Sequence, residues 1–126
     1  MYKVLIVDDS KLGRMSFAKT LNALQPGWSI VEASDADAAV AAVARDRPDI
    51  AVLDFNMRGR DGLTLAAELR AQHPGMPLAI TTANVQEEIV ARARALGAAF
   101  LPKPLTERSL SEFLAVAEAR IRDASR

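Results

Sequence analysis

The chain has 126 residues, which is room for one domain with a sizeable hydrophobic core. Its 16 basic and 16 acidic residues cancel without runs of like charge, so charge gives no support for binding to nucleic acid or an anionic membrane. The absence of cysteine excludes disulfides and thiolate-bound metals. The first apolar run is too short, and too soon followed by aspartates, for a signal peptide. We therefore expect a soluble, cytoplasmic domain.

Short apolar runs alternate with amphipathic segments along the whole chain. In chain order, the predicted strands cover residues 4–7, 28–33, 50–53, 78–80 and 98–101. The predicted helices cover residues 11–24, 35–45, 63–73 and 85–96, and a last helix starts at Thr106. Unbroken apolar runs are typical of strands buried on both faces of a parallel sheet, and only the mixed run 28–33 suits a sheet edge. The pattern predicts a doubly wound α/β fold with five parallel strands and five helices.

Polar side chains follow four of the five predicted strands. Asp8 and Asp9 follow the first strand, Asp54 the third, Thr82 the fourth and Lys103 the fifth. Because parallel strands present their carboxyl ends at one edge of the sheet, we expect these side chains to converge there.

The three carboxylates would repel one another unless a cation lay between them. Ligands that are all oxygen favour Mg²⁺ or Ca²⁺ over Zn²⁺. The Thr82 hydroxyl and the Lys103 ammonium group could then bind phosphate oxygens. The set predicts a site that neutralises a phosphoryl group during transfer, with a carboxylate as nucleophile.

Each residue also has an ordinary explanation when it is taken alone. Asp9 or Ser10 could cap the first helix, Thr82 could be a turn residue, and Lys103 could be a solvated surface lysine. Asp54 is harder to explain in this way, because it directly follows a fully apolar run. The phosphoryl-transfer interpretation therefore depends on their joint occurrence at the strand ends.

Five motifs resemble those of the receiver domains of two-component response regulators, the CheY-like proteins. They are VLIVDDS at 4–10, VLDFNM at 52–57, DG at 61–62, TTAN at 81–84 and FLPKP at 100–104. The resemblance runs from about Lys3 to the last helix and implies the strand order 2-1-3-4-5. It also implies that residues 1–126 form one receiver domain without an effector domain. Such a domain would be a phosphoacceptor in signalling and not an enzyme.

The resemblance further implies how the acidic residues act. Asp54 would accept a phosphoryl group from the phosphohistidine of a histidine kinase or a histidine phosphotransfer protein. Asp9 and Asp54 would bind Mg²⁺ through their carboxylates and Asn56 through its backbone carbonyl. Asp8 would act through a water molecule or by holding its neighbours.

The remaining implied residues concern the phosphoryl group and the response to it. Lys103 would contact a phosphoryl oxygen, and its peptide bond to Pro104 would be cis. Thr82 and Phe100 would form the switch that changes a protein-binding surface. The downstream protein is left open, and so are a role in a phosphorelay, a fragment of a larger regulator and a phosphorylation-dependent dimer.

Two positions depart from the usual pattern of the family. Arg58 occupies a position where many relatives carry proline, and Arg60 replaces the apolar residue that often precedes Asp-Gly. These substitutions lie in the loop after Asp54, so they concern its geometry. Arg58 could attract the phosphoryl donor or be a plain surface arginine.

Three other functions share parts of this pattern. A flavodoxin-like cofactor binder would need a Ser/Thr/Gly-rich loop after the first strand, where Asp8 and Asp9 would repel a permanent phosphate. A phosphohydrolase with an aspartyl nucleophile would place an acid/base where Ser10 stands. A degenerate receiver that binds proteins constitutively would not need the complete set of Asp9, Asp54, Thr82 and Lys103.

Overall fold

The computed structural model describes residues 1–124 and contains one parallel sheet with the strand order β2-β1-β3-β4-β5. This confirms the predicted fold class and strand order. The elements in chain order are β1 (Lys3–Val7), α1 (Lys11–Leu24), β2 (Ser29–Ala33), α2 (Ala36–Asp46), β3 (Ile50–Asp54), α3 (Gly62–Gln72), β4 (Leu78–Thr82), α4 (Glu87–Ala95), β5 (Ala99–Pro102) and α5 (Glu107–Ala124).

The unbroken apolar runs are explained by two hydrophobic clusters, one on each face of the sheet. Successive side chains of a strand point to opposite faces, so Leu5 and Val7 join one cluster while Val4 and Ile6 join the other. The first cluster is covered by α2, α3 and α4, and the second by α1 and α5. A strand buried on both faces has no position for a polar residue until it leaves the core.

The strand register brings the carboxyl ends of the central strands level with one another. Val7 of β1 pairs with Leu53 of β3, and Asp54 pairs with Thr81 of β4. The residues that follow β1, and those that end β3 and β4, therefore emerge side by side at one edge of the sheet.

Four helices begin with a side-chain cap next to that edge, and in α5 the Thr106 hydroxyl oxygen accepts from the Ser109 amide at 3.1 Å. The side chain of Ser10 accepts a hydrogen bond from the Gly13 amide, that of Asp35 from Ala38, and that of Asp61 from Thr64. These caps satisfy amide groups that would otherwise lack partners in the first turn, and they fix where each helix starts.

The opposite end of the sheet carries an aromatic pair. The rings of Tyr2 and Trp28, which precede β1 and β2, lie 5.0 Å apart at an interplanar angle of 86°. Trp28 packs on the cluster beneath α1 and α5 and is therefore an edge-packing aromatic residue. Among the helices formed by residues 1–124, none is both long and apolar enough to cross a bilayer.

Candidate functional site

Asp8, Asp54 and Thr82 are buried polar residues at the carboxyl edge of the sheet. Asp54 ends β3 and is 4% exposed, while Thr82 ends β4 and is fully buried. Asp8 follows β1 and is also buried, whereas the next residue, Asp9, is exposed. Burial of carboxylates costs free energy unless they are paired or hydrogen-bonded, so their partners decide what the site can do.

The three aspartates form one acidic cluster. One carboxylate oxygen from each of Asp8, Asp9 and Asp54 lies within 4.8 Å of the others. The Asp8 Oδ1 atom accepts a hydrogen bond of 2.9 Å from the Ser10 amide, which orients this carboxylate. Such a set of hard oxygen donors fits Mg²⁺, which binds through one or two carboxylates and keeps several water ligands.

Lys103 provides the positive charge of the site. Its Nζ atom lies 3.1 Å from Asp54 Oδ1 and 3.6 Å from Asp8 Oδ2. The Lys103 amide donates to the Thr82 carbonyl oxygen at 2.9 Å, and the peptide bond between Lys103 and Pro104 is cis. The lysine thus reaches the acidic cluster from the strand at the far edge of the sheet.

Burial raises the pKa of the Asp54 carboxyl above its ordinary value. The Lys103 ammonium group opposes this rise through its charge and its hydrogen bond, while the charge of Asp8 adds to it. A weaker opposing contribution comes from the Asn56 amide, which donates to Asp54 Oδ1 at 3.4 Å. Further positive charge at this cluster would therefore favour the ionised, nucleophilic form of Asp54.

Thr82 and Phe100 lie on neighbouring strands behind the acidic cluster. The Thr82 hydroxyl oxygen accepts a hydrogen bond of 3.1 Å from the Asn84 amide. Phe100 pairs with Ile80 in the sheet, is half-buried, and packs against the cluster covered by α2, α3 and α4. A buried threonine and a half-buried aromatic residue on the adjoining strand are thus present at this side of the sheet.

Comparison with known proteins assigns the family. The family model described as the response regulator receiver domain matches residues 4–115. The chain belongs to this family. Its members are signalling domains of two-component systems; they bind Mg²⁺ in an acidic pocket and interact with histidine kinases or phosphotransfer proteins.

Individual relatives agree with this assignment. The receiver domain is 36% identical over 123 residues to the transcriptional regulatory protein PdtaR of Mycobacterium tuberculosis, with 96% of the chain and 58% of PdtaR covered. It is 36% identical to a protein-glutamate methylesterase/protein-glutamine glutaminase of Anaeromyxobacter dehalogenans over 95% of the chain and 35% of that protein. The chain thus spans little more than half of PdtaR and about a third of the methylesterase.

A solved structure gives the same fold. The chemotaxis protein CheY4 of Vibrio cholerae superposes with a TM-score of 0.83 at 29% identity, covering 93% of this chain and 98% of that protein.

Two glycines of the receiver domain belong to the site although the sequence did not single them out as site residues. A Cβ atom at Gly13 would lie 2.3 Å from Asp8 Oδ2, and one at Gly62 would lie 2.4 Å from the backbone oxygen of Asp54. Both positions need the small residue so that a helix can approach the acidic cluster. In the sequence, the Asp-Gly pair at 61–62 was noted as a motif of the family, but nothing there explained why position 62 must be glycine.

The two unusual arginines differ in their contacts. Arg60 forms ion pairs with Asp37 of α2 and Glu68 of α3. Arg58 is exposed and lines an open polar cleft with Asp9, and the described part of the chain, residues 1–124, shows no hydrogen bond or ion pair for its side chain.

Proposed function

We propose that Asp54 accepts a phosphoryl group, in the presence of Mg²⁺, from the phosphohistidine of a histidine kinase or a histidine phosphotransfer protein. The observation that carries this proposal is the buried Asp54 carboxylate, which lies 3.1 Å from the Lys103 ammonium group and beside the carboxylates of Asp8 and Asp9. The nearby ammonium group can keep this buried carboxylate ionised for attack. After transfer, the same ammonium group can pair with the negatively charged phosphoryl group.

The transfer forms one bond and breaks one. An Oδ atom of Asp54 attacks the phosphorus atom of the donor, and the phosphorus–nitrogen bond breaks as the phosphorus–oxygen bond forms. The electron pair of the broken bond stays on the departing imidazole, which takes up a proton. The carboxylates of Asp9 and Asp54 and the carbonyl of Asn56 would hold Mg²⁺, and Asp8 would act through water. The bound cation would neutralise charge on the phosphoryl oxygens.

Lys103, Thr82 and Phe100 give the response to phosphorylation. The Lys103 ammonium group would leave Asp54 Oδ1 for a phosphoryl oxygen, because that oxygen carries more charge after transfer. The Thr82 hydroxyl would give up its bond with the Asn84 amide and donate to the phosphoryl group. Phe100 would turn inward behind Thr82, and the altered surface would bind a downstream protein or a second copy of the domain.

Intact-mass measurement tests the phosphoryl acceptor. The protein is incubated with acetyl phosphate with and without Mg²⁺, and we expect the mass of one added phosphoryl group only when Mg²⁺ is present. Asp54→Asn should abolish the addition, while Asp123→Asn, which alters an exposed carboxylate on α5, should leave it unchanged. Modification that persists in Asp54→Asn would refute the assignment of the acceptor.

The output of the domain is tested separately. Beryllofluoride with Mg²⁺ imitates the phosphoryl group, so it should change the NMR signals of Thr82 and Phe100 in the wild-type protein but not in Asp54→Asn. Sedimentation of the same samples measures self-association. Capture of a partner that depends on beryllofluoride would identify a phosphorylation-dependent target, including one that acts next in a phosphorelay.

A further inference from the structure

The loop between β3 and α3, residues 55–61, carries the carbonyl group that the proposed Mg²⁺ site requires. Its base is closed by two backbone hydrogen bonds, from the Phe55 amide to the Thr81 oxygen at 2.8 Å and from the Gly62 amide to the Phe55 oxygen at 3.1 Å. Asn56, Arg58 and Gly59, which lie above this base, are exposed. Above the base, the Asn56 amide donates to Asp54 Oδ1 at 3.4 Å and Met57 packs against the first cluster, so the turn at Arg58 and Gly59 is the part of the loop with the least support of its own.

Arg60 supplies side-chain contacts for the outer part of this loop. Its Nη2 atom lies 2.5 Å from Asp37 Oδ1 on α2, and its Nη1 atom donates to Glu68 Oε1 on α3. Arg60 and Glu68 are both half-buried, while Asp37 is exposed. One guanidinium group thus connects the loop to two helices, and its rigid fork suits two carboxylates at once.

The need for such a connection follows from the neighbouring residues. Gly59 has a φ of +76° and restricts the unfolded backbone little, and Arg58 lacks the fixed φ that proline would give. The turn at residues 58–59, which follows the segment that presents Asn56, therefore has little backbone restriction of its own, and the ion pairs of Arg60 restrict it.

We propose that Arg60 is a positioning residue, which holds the loop against α2 and α3 so that the Asn56 carbonyl group is pre-arranged for Mg²⁺ at Asp54. This inference rests on the proposed function, because it concerns the same cation site. Arg60 does not touch the reacting atoms; it acts through the loop backbone.

The sign of one substitution separates positioning from simple electrostatics. Arg60→Met removes a positive charge near an acidic cluster, and by Coulomb's law alone that should strengthen the binding of a cation. Loss of a pre-arranged carbonyl ligand should instead weaken it. Arg58→Met is the matched control, because it removes a positive charge from the same loop and Arg58 forms no ion pair within residues 1–124.

Calorimetric titration with Mg²⁺ is the deciding experiment. We expect Arg60→Met to raise the Kd for Mg²⁺ about two- to fivefold, the range that a small exposed ion-pair network supports. Arg58→Met should lower the Kd or leave it unchanged, and Arg60→Lys should recover part of the affinity. An unchanged or lower Kd in Arg60→Met would overturn the proposal.

Amide hydrogen exchange of the metal-free protein gives a second measure. Residues 56–59 should exchange faster in Arg60→Met and in Glu68→Gln than in the wild type. Glu68→Gln should add little once Arg60 is already replaced, because the pair acts as one unit. Equal exchange in all of these proteins would contradict the proposal. Phosphorylation of Asp54 in the wild-type protein checks the proposed function separately, so failure of the Arg60 role can be distinguished from failure of the proposed function.

Discussion

Asp54 is held in a setting that disfavours its charge, although the proposed phosphoryl transfer requires that charge. Burial raises the pKa of its carboxyl, and Lys103 and the Asn56 amide oppose the rise. A bound cation would act in the same direction as Lys103. The residue that is proposed to react therefore costs the folded protein stability when the cation is absent.

We expect the metal-free Asp54→Asn variant to be more stable than the wild type near neutral pH. Urea unfolding should give it a free energy of unfolding that is higher by about 1 kcal/mol, a typical size for one substitution. The folded wild type holds the Asp54 proton more tightly than the unfolded chain does. The stability from this group is therefore complete below the ordinary aspartate pKa of about 3.9 and is lost as pH rises through the raised pKa of the folded state. The advantage of Asp54→Asn should shrink as pH falls toward about 4. A constant difference across this range would contradict the prediction.

Lys103→Ala should separate cation binding from switching. Removal of the ammonium group 3.1 Å from Asp54 Oδ1 leaves the cluster more negative, so Mg²⁺ should bind at least as tightly as in the wild type. The change in the Phe100 signals on addition of beryllofluoride should be lost. Lys19→Ala, which alters an exposed lysine on α1, serves as the control. A normal Phe100 response in Lys103→Ala would show that Lys103 has another role.

Gly62→Ala should destabilise the domain by about 1–3 kcal/mol, as overpacked sites do. The added Cβ would lie 2.4 Å from the backbone oxygen of Asp54, and backbone cannot rotate away as a side chain can. Gly75→Ala is the matched control: it has open space within 4 Å, so its stability should change by less than about 0.5 kcal/mol. Urea unfolding measures the free energy of unfolding of both variants. Equal stability changes in the two variants would show that α3 can shift away from β3.

At the scale of elements, Arg70 connects α3 to the segments that follow it. Its Nε atom donates to the Leu96 oxygen at 2.8 Å, and its Nη1 atom donates to the oxygens of Pro74 and Met76 at 2.8 and 2.7 Å. The C-terminal end of α4 is thereby fixed to α3. The N-terminal end lacks a side-chain cap at Gln86 and follows an exposed segment, so the two ends of α4 are held unequally.

Arg70→Met should cost about 1–3 kcal/mol, because carbonyl oxygens that now accept from a cation would lose their donor. Arg45→Met is the control; Arg45 pairs with its neighbour Asp46 on the surface of α2, so its loss should change stability by less than about 0.5 kcal/mol. Hydrogen exchange should also show faster opening at the C-terminal end of α4 in Arg70→Met. Unfolding free energies that match between the two variants would contradict the anchoring role.

The elements themselves were largely predictable from the sequence, and their ends less so. The apolar periodicity located all five helices and all five strands. It placed the fourth helix over residues 85–96, whereas α4 covers Glu87–Ala95, because Val85 is exposed and no side chain caps the start. The contacts of Arg70 with Leu96 and of Arg60 with Asp37 join residues that are 26 and 23 positions apart, and periodicity carries no information about such pairs.

At the scale of the whole molecule, topology explains why several residues of the candidate site could be predicted to lie together, while their roles stay predictions. Parallel strands with level carboxyl ends bring together residues that are far apart in sequence, so the side chains of Asp8, Asp54 and Lys103 meet, and Thr82 ends the strand next to β3. The requirement for glycine at 13 and 62 was not predictable in the same way. It arises because α1 approaches Asp8 closely at Gly13 and α3 approaches Asp54 closely at Gly62.

Mg²⁺ should stabilise the whole domain, because a ligand that binds only the folded state shifts the unfolding equilibrium. At about 100 times its Kd the gain is about 2.7 kcal/mol, which for a domain of this size raises Tm by roughly 10 °C. Scanning calorimetry measures the Tm in Mg²⁺, and the Tm in NaCl of equal ionic strength is the reference. Asp9→Asn should lose most of the gain, and an equal gain in that variant would remove Asp9 from the proposed ligands.

The position of the aromatic pair of Tyr2 and Trp28 determines what intrinsic fluorescence can report about this protein. Trp28 precedes β2, at the end of the sheet opposite the acidic cluster, so the length of a five-residue strand, roughly 16 Å, separates it from the site. Because this is the sole tryptophan, intrinsic fluorescence should report loss of the fold and remain silent when Asp54 is phosphorylated. A tryptophan introduced near Asn84 would give the optical signal of activation that the natural sequence does not provide.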